Sequence, residues 1–152
     1  MMASETSSTA PRPERPVHLT DLHLLELHLD TEGLRIAAVR RDIVRHLQRI
    51  GDDSSDFGAA ELIAGELLAN VVRHAPGPFD VRVGTDEGYA FFELRDRGRG
   101  FDMPSSPRDP LEASGHGLHL VRALARKLDV SHIPGEGTTV YVELPVPTAM
   151  NR

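Results

Sequence analysis

The chain has no cysteine, which excludes disulfide bonds, thiolate metal sites and a thiol nucleophile. No apolar run approaches the length needed to span a membrane, and the N-terminus lacks the apolar core of a signal peptide. The formal net charge is −6, which disfavours a function driven by a global positive field, such as direct nucleic-acid binding. We therefore expect a soluble cytoplasmic protein that binds neither nucleic acid nor membrane.

A length of 152 residues, 39% of them hydrophobic, is enough for one domain with a substantial core. Residues 1–17 are rich in Ser, Thr and Pro and have little to bury, so they are predicted to form a disordered tail. The folded domain is expected over residues 18–147, followed by a short tail at 148–152.

Hydrophobic periodicity predicts the order of helices and strands. Residues 22–29 suit either a strand or a helix, and Asp30 and Thr31 are expected to cap a helix over residues 34–50. A second helix follows over residues 61–75, and then a β-hairpin with its turn at residues 86–88.

The last part of the chain predicts one more helix and two strands. The helix opens at residues 115–118, and its apolar side is formed by Leu118, Val121, Leu124 and Leu128. Strands are expected at residues 130–133 and 140–144, and Pro145 and Pro147 are expected to end the ordered part. The order of elements predicts a two-layer α/β sandwich, with a mixed, largely antiparallel sheet and helices on one face.

The stretch ELIAGELLANVVRHA, from Glu61 to Ala75, predicts a helix with two different faces. Its apolar side, which should pack on the sheet, consists of Ala60, Ile63, Ala64, Leu67 and Val71. Its polar stripe consists of Glu66, Asn70, Arg73 and His74. A carboxylate one turn before a carboxamide offers a proton acceptor beside an oxygen ligand for a hard metal ion. For this helix taken alone, an ordinary solvated face is the alternative interpretation.

A glycine motif, DRGRGF, follows the second strand of the hairpin at residues 96–101. The carboxylate of Asp96 can accept a hydrogen bond from an exocyclic amine such as that of adenine. Gly98 and Gly100 allow the backbone to approach a planar ligand. A surface turn would produce the same pattern.

Two further glycine motifs follow a proline-rich loop over residues 102–114 that is typical of a functional lid or of disorder. Gly115, Gly117 and Leu118 stand where the loop becomes a helix, and backbone N–H groups there can bind an anion. A flexible joint is the alternative. The last motif, GEGTT, fits a hairpin turn, and it can also place the hydroxyl of Thr138 beside Asp96.

The four motifs, taken in order, resemble those of the GHKL ATPase superfamily, whose members share the Bergerat nucleotide-binding fold. The motifs are E-x-x-x-N on a helix, D-x-G-x-G after a strand, G-x-G-L opening a helix and G-x-G-T before a strand. The single-domain anti-sigma factor serine kinases are the most similar group. The resemblance covers roughly residues 24–144, and ELLANVVRHA is its most specific part.

The resemblance implies a role for each matching residue. Glu66 would be the general base, and Asn70 would hold a Mg²⁺ ion that bridges the phosphates of ATP. Asp96 would read the adenine amine with Thr138 assisting through water. Gly98 and Gly100 would shape the adenine pocket, and the phosphates would be closed on by Gly115, Gly117 and the backbone of Leu118 under a mobile lid.

The resemblance also implies partners and leaves three functions open. The first is a serine/threonine protein kinase that phosphorylates a STAS-type anti-anti-sigma protein and sequesters a sigma factor. A homodimer is what the resemblance suggests for the oligomeric state. The second is an ATP-binding interaction module with negligible phosphate transfer. The third is a nucleotide-free interaction domain in which the glycine motifs are turns. A complete sensor histidine kinase is not expected, because no histidine-bearing dimerisation helix precedes the motifs.

Overall fold

A five-stranded sheet forms one layer of the computed structural model, which describes residues 23–96 and 117–148. The strands are β1 (Leu25–Asp30), β2 (Pro78–Asp86), β3 (Tyr89–Asp96), β4 (Lys127–Ile133) and β5 (Gly137–Pro147). They lie in the order β1-β2-β3-β5-β4, and every neighbouring pair is antiparallel. The predicted largely antiparallel sheet is confirmed, and the ambiguous first segment is a strand.

In the part of the chain that the structure describes, three helices form the other layer. They are α1 (Ile36–Ile50), α2 (Phe57–His74) and α3 (Gly117–Leu124). α2 packs against both other helices and against β3 and β5, so it is the central helix. Its predicted apolar side is buried throughout. Its N-terminus is capped by Asp56, whose carboxylate accepts a hydrogen bond from the N–H of Ala59 at 3.0 Å. The two-layer α/β sandwich is therefore confirmed.

The predicted cap of α1 is wrong. The helix begins after Arg35, which makes no side-chain cap hydrogen bond. The carboxylate of Asp30 instead accepts from the N–H of Glu32 at 2.9 Å, and the hydroxyl of Thr31 accepts from the N–H of Gly77 at 2.8 Å. Both side chains therefore stabilise the turn after β1 and its contact with the start of β2, rather than the helix.

The end of α3 and the start of β4 also differ from the prediction. α3 ends at Leu124, and Leu128 lies in β4, paired with Val142 of β5. Leu128 lies four residues after Leu124, a spacing that suits a helix. Its side chain nevertheless packs against the same hydrophobic core from a strand. Period alone does not separate these two arrangements over so short a segment.

Pro145 does not end the strand, contrary to the prediction: β5 continues through it and ends at Pro147, in a segment where the sheet does not need the N–H groups that proline lacks. The pairing of β5 with β4 reaches only to Glu143. Beyond that point, the carbonyl of Pro145 accepts from the N–H of Asp56 at 2.9 Å, and that of Pro147 from Asp52 at 2.8 Å. The loop between α1 and α2 thus donates N–H groups to the carbonyls of the two prolines and needs no N–H donor from them.

The open face of the sheet carries charges that pair with one another across the strands. Arg82 on β2 lies 3.3 Å from Glu26 on β1 and 3.7 Å from Glu93 on β3. His28 and Asp80 form a hydrogen bond of 2.6 Å between β1 and β2. These pairs keep this face polar while the opposite face packs against the helices. Within residues 23–96 and 117–148, no helix is long and apolar enough to cross a membrane.

A buried histidine ties α1 to the chain that enters β1. The Nε2–H of His46 donates to the carbonyl oxygen of His23 at 2.8 Å, and Arg49 donates to its Nδ1 at 3.1 Å. The ring is therefore neutral, with its proton on Nε2. Burial, helped by the nearby Arg49 charge, lowers the pKa of His46 below the ordinary histidine value.

We expect the free energy of unfolding to fall as the pH drops below about 6.5, the pKa of an unperturbed histidine. In that range the unfolded chain takes up a proton at His46, whereas the folded chain resists protonation there. His46→Gln removes the titration and keeps an N–H donor for His23. Urea unfolding at about pH 7.5 and about pH 5.5 should show a smaller loss in the variant than in the wild type. Equal losses in both proteins would contradict this role of His46.

Candidate functional site

The helix-covered face of the sheet ends in a row of side chains that differs from the rows inside it. An inner row, with one residue from each of β2, β3, β5 and β4, is wholly apolar: Val81, Leu94, Val140 and Val130. The corresponding last row, here called the terminal row, consists of Phe79, Asp96, Thr138 and His132. Three polar side chains thus replace apolar ones at one end of the core.

Asp96 and Thr138 are neighbours in this terminal row. The register pairs Leu94 with Val140 and Arg95 with Thr139, so the next positions along β3 and β5 are Asp96 and Thr138. Asp96 is 1% exposed and Thr138 is 3% exposed. A buried carboxylate beside a buried hydroxyl can recognise a ligand that offers N–H donors. This is the juxtaposition that the sequence motifs predict.

The C-terminal half of α2 lies at the same end of the sheet. Only residues 75–77 separate the last residue of α2 from the start of β2, and Phe79 of β2 pairs with Asp96. Asn70 lies one turn before the end of α2, and Glu66 lies one turn further back. The two predicted α2 residues are therefore one turn apart, on the half of the helix that leads to this end of the sheet.

Asn70 is buried without using its hydrogen-bonding capacity. The residue is 8% exposed, and neither its amide nitrogen nor its amide oxygen has a partner within the described residues. A buried polar group left in this state costs about 1–3 kcal/mol. A ligand that bound the amide oxygen would remove that cost, so the side chain fits the predicted role of holding a Mg²⁺ ion.

The chemistry of the surroundings also fits Mg²⁺. Within residues 23–96 and 117–148 there is no group of three or more His, Cys, Asp or Glu residues that could hold a metal by itself. Mg²⁺ usually takes one or two protein ligands and completes its shell with phosphate oxygens and water. A single carboxamide beside a bound triphosphate would therefore suffice.

α3 lies against α2. It begins at Gly117, its first turn contains buried Leu118, and Val121 packs into the core. The start of α3 is therefore held against the helix that carries Glu66 and Asn70. The predictions for Gly98, Gly100, Gly115 and the loop over residues 102–114 lie outside the described residues.

The other two members of the predicted polar stripe have a different environment. Arg73 and His74 occupy the last turn of α2 and are exposed. The positive charge of Arg73 at the helix C-terminus is stabilised by the helix dipole.

His132 belongs to the terminal row, although the sequence motifs do not include it. Its Nδ1 lies 3.0 Å from the hydroxyl oxygen of Thr138. The sequence does contain a weak signal: His132 continues the alternation of Leu128 and Val130, which places it on the covered face of β4. Only the register with β5 shows that it reaches Thr138.

Comparisons with known proteins identify the family and the fold of this chain. A family model described as "Histidine kinase-like ATPase domain" matches residues 29–144. No curated protein matches the chain. Among solved structures, the fold is similar to the histidine kinase domain of a blue-light activated histidine kinase from Erythrobacter litoralis EL346, with 21% sequence identity and a TM-score of 0.50. The match covers 78% of this chain and 66% of that one. This chain belongs to the histidine kinase-like ATPase domain family of the GHKL superfamily and is an ATP-binding module of that type.

Proposed function

We propose that this protein is an ATP-dependent serine/threonine protein kinase that phosphorylates a STAS-type anti-anti-sigma protein. It would also sequester a sigma factor, so that phosphorylation of one partner regulates transcription by releasing or recapturing the other. The observation that supports catalysis is the environment of Glu66. Its carboxylate is half-buried one turn from Asn70 and makes no ion pair within the described residues, so it is available to take a proton.

The binding of ATP follows from the residues assembled at the terminal row and on α2. Asp96 accepts the hydrogen bond of the adenine amine, assisted by Thr138. The start of α3, at Gly117 and Leu118, offers backbone N–H groups to the phosphates. Asn70 holds Mg²⁺, which neutralises charge on the phosphate oxygens when it is bound.

The transfer step requires one base. The carboxylate of Glu66 accepts the proton of the attacking serine or threonine hydroxyl. The hydroxyl oxygen forms a bond to the γ-phosphorus while the bond from that phosphorus to the bridging oxygen breaks, and ADP leaves with the electron pair. For the rest of the reaction, the protein must position both reactants and exclude water.

The test is phosphate transfer from γ-labelled ATP, in the presence of Mg²⁺, to each STAS-domain protein of the source organism. We expect label on one of them, stable in acid and lost in strong alkali, as phosphoserine and phosphothreonine are. Acid-labile label would indicate transfer to histidine and would contradict the proposal. Mg-ATP binding with no transfer to any STAS protein would instead support an ATP-dependent interaction module.

A further inference from the structure

A hydrogen bond between two side chains of the terminal row has no assigned role. The Nδ1 atom of His132 on β4 lies 3.0 Å from the Oγ1 atom of Thr138 on β5, and the two residues are directly paired across the hairpin. Thr138 is buried and His132 is half-buried. The bond is therefore partly shielded from water, at the place where Thr138 adjoins Asp96.

This bond is not needed to hold the two strands together. The backbone pairing of β4 with β5 extends from Lys127 opposite Glu143 to Ile133 opposite Gly137, on both sides of His132. The inner positions of β4 on the same face are apolar, Leu128 and Val130. A hydrophobic residue at position 132 would continue that pattern, so the imidazole acts mainly on the hydroxyl that it contacts.

The contact fixes the direction of that hydroxyl. A threonine hydroxyl has one proton to donate and two lone pairs to accept with, and the side chain has a methyl group on the same carbon. Rotation about χ1 would exchange the hydroxyl with the methyl group or with hydrogen. The bond to Nδ1 holds Oγ1 in one rotamer and occupies one of its hydrogen-bonding positions, so its remaining capacity has a defined direction beside Asp96.

We propose that His132 is a positioning residue for nucleotide recognition, which orients the hydroxyl of Thr138 toward the edge of the adenine base. The inference rests on the proposed binding of adenine at Asp96. It adds a second layer to the pocket: Asp96 contacts the base, Thr138 assists it, and His132 holds Thr138 from behind.

The experiment measures the dissociation constants of Mg-ATP and Mg-ITP by calorimetry. Inosine carries an oxygen where adenine has its amine, so the ratio of the two constants reports recognition of that edge. His132→Phe keeps a ring but removes the hydrogen bond, and should weaken ATP binding by about 3- to 10-fold. ITP binding should change little. A structural defect would weaken both nucleotides together.

Two further variants separate positioning from packing. His132→Asn places an amide near the position of Nδ1 and should restore most of the preference for ATP. Adding His132→Phe to Thr138→Val should cause no further loss, because the hydroxyl is already gone. If His132→Phe fails to fold, as judged by thermal unfolding without nucleotide, His132→Leu takes its place, since leucine matches the neighbouring inner residues of β4.

The outcomes distinguish this inference from the proposed function. An unchanged ratio of ATP to ITP affinity in His132→Phe, with wild-type binding still dependent on Asp96, would overturn the role of His132 alone. Failure of the wild type to bind Mg-ATP would overturn both. A loss in His132→Phe that His132→Asn does not restore would also count against positioning through the hydrogen bond.

Discussion

Glu66→Gln should lower the rate of phosphoryl transfer by about 10²- to 10⁴-fold and leave the affinity for Mg-ATP nearly unchanged. Glutamine keeps the size of the side chain and one of its oxygens, but the amide cannot take a proton from the attacking hydroxyl. Glu66 lies on a helix anchored by its buried apolar side, so the substitution should not move the backbone. Initial rates of label transfer at saturating ATP, combined with calorimetry, measure the two effects separately.

Glu61→Gln is a matched control on the same helix. Glu61 lies in the N-terminal half of α2, five residues before Glu66, and its carboxylate is 3.4 Å from Arg40 in an exposed ion pair. Such pairs contribute about 0–1 kcal/mol, so both stability and transfer should stay close to wild type. Equal transfer rates in Glu66→Gln and Glu61→Gln would show that Glu66 is not the base.

Asp96→Asn should raise the dissociation constant of ATP by about 10- to 100-fold, the effect of losing a hydrogen bond to a buried charged group. The substitution preserves volume, so the terminal row stays filled. It replaces one acceptor oxygen by an amide group that has only protons to offer to the adenine amine. Calorimetry with Mg-ATP measures the change, and the thermal unfolding midpoint without nucleotide checks the fold.

Asp80→Asn provides the comparison for this second prediction. Asp80 occupies the strand position next to Phe79, but its side chain lies on the open face of the sheet and hydrogen-bonds to His28. It should bind ATP as the wild type does. If Asp96→Asn and Asp80→Asn both bind like the wild type, Asp96 does not read the base.

The sequence predicts the helices and the face of each strand well because both depend on local periodicity. α1 and α2 are long enough for the apolar spacing to be unambiguous, and the turn of the β2–β3 hairpin is marked by Gly88. Segments with few residues are harder. Leu128 fits a helix and a strand equally well, and only the position where α3 ends decides between them.

Properties that depend on partners distant in sequence cannot be predicted from local pattern. Thr31 looks like a helix cap, but its hydroxyl accepts a hydrogen bond from Gly77, which lies two helices later in the chain. Pro145 looks like the end of a strand, but the loop at Asp56 makes its missing N–H harmless. The role of His132 likewise depends on the register between two strands. The motifs do predict Thr138 beside Asp96, and the register of β3 with β5 places the two in one row with His132.

The terminal row also includes residues of both hairpins of the sheet. One hairpin, β2–β3, contributes Asp96, and the other, β4–β5, contributes Thr138 and His132; the two hairpins meet along β3 and β5. A nucleotide that contacts both hairpins binds only to molecules in which they are docked, and at one hundred times its dissociation constant it would favour that state by about 2.7 kcal/mol. Bound as we propose, ATP would therefore stabilise the docking of one hairpin on the other, by an amount that grows with the ATP concentration.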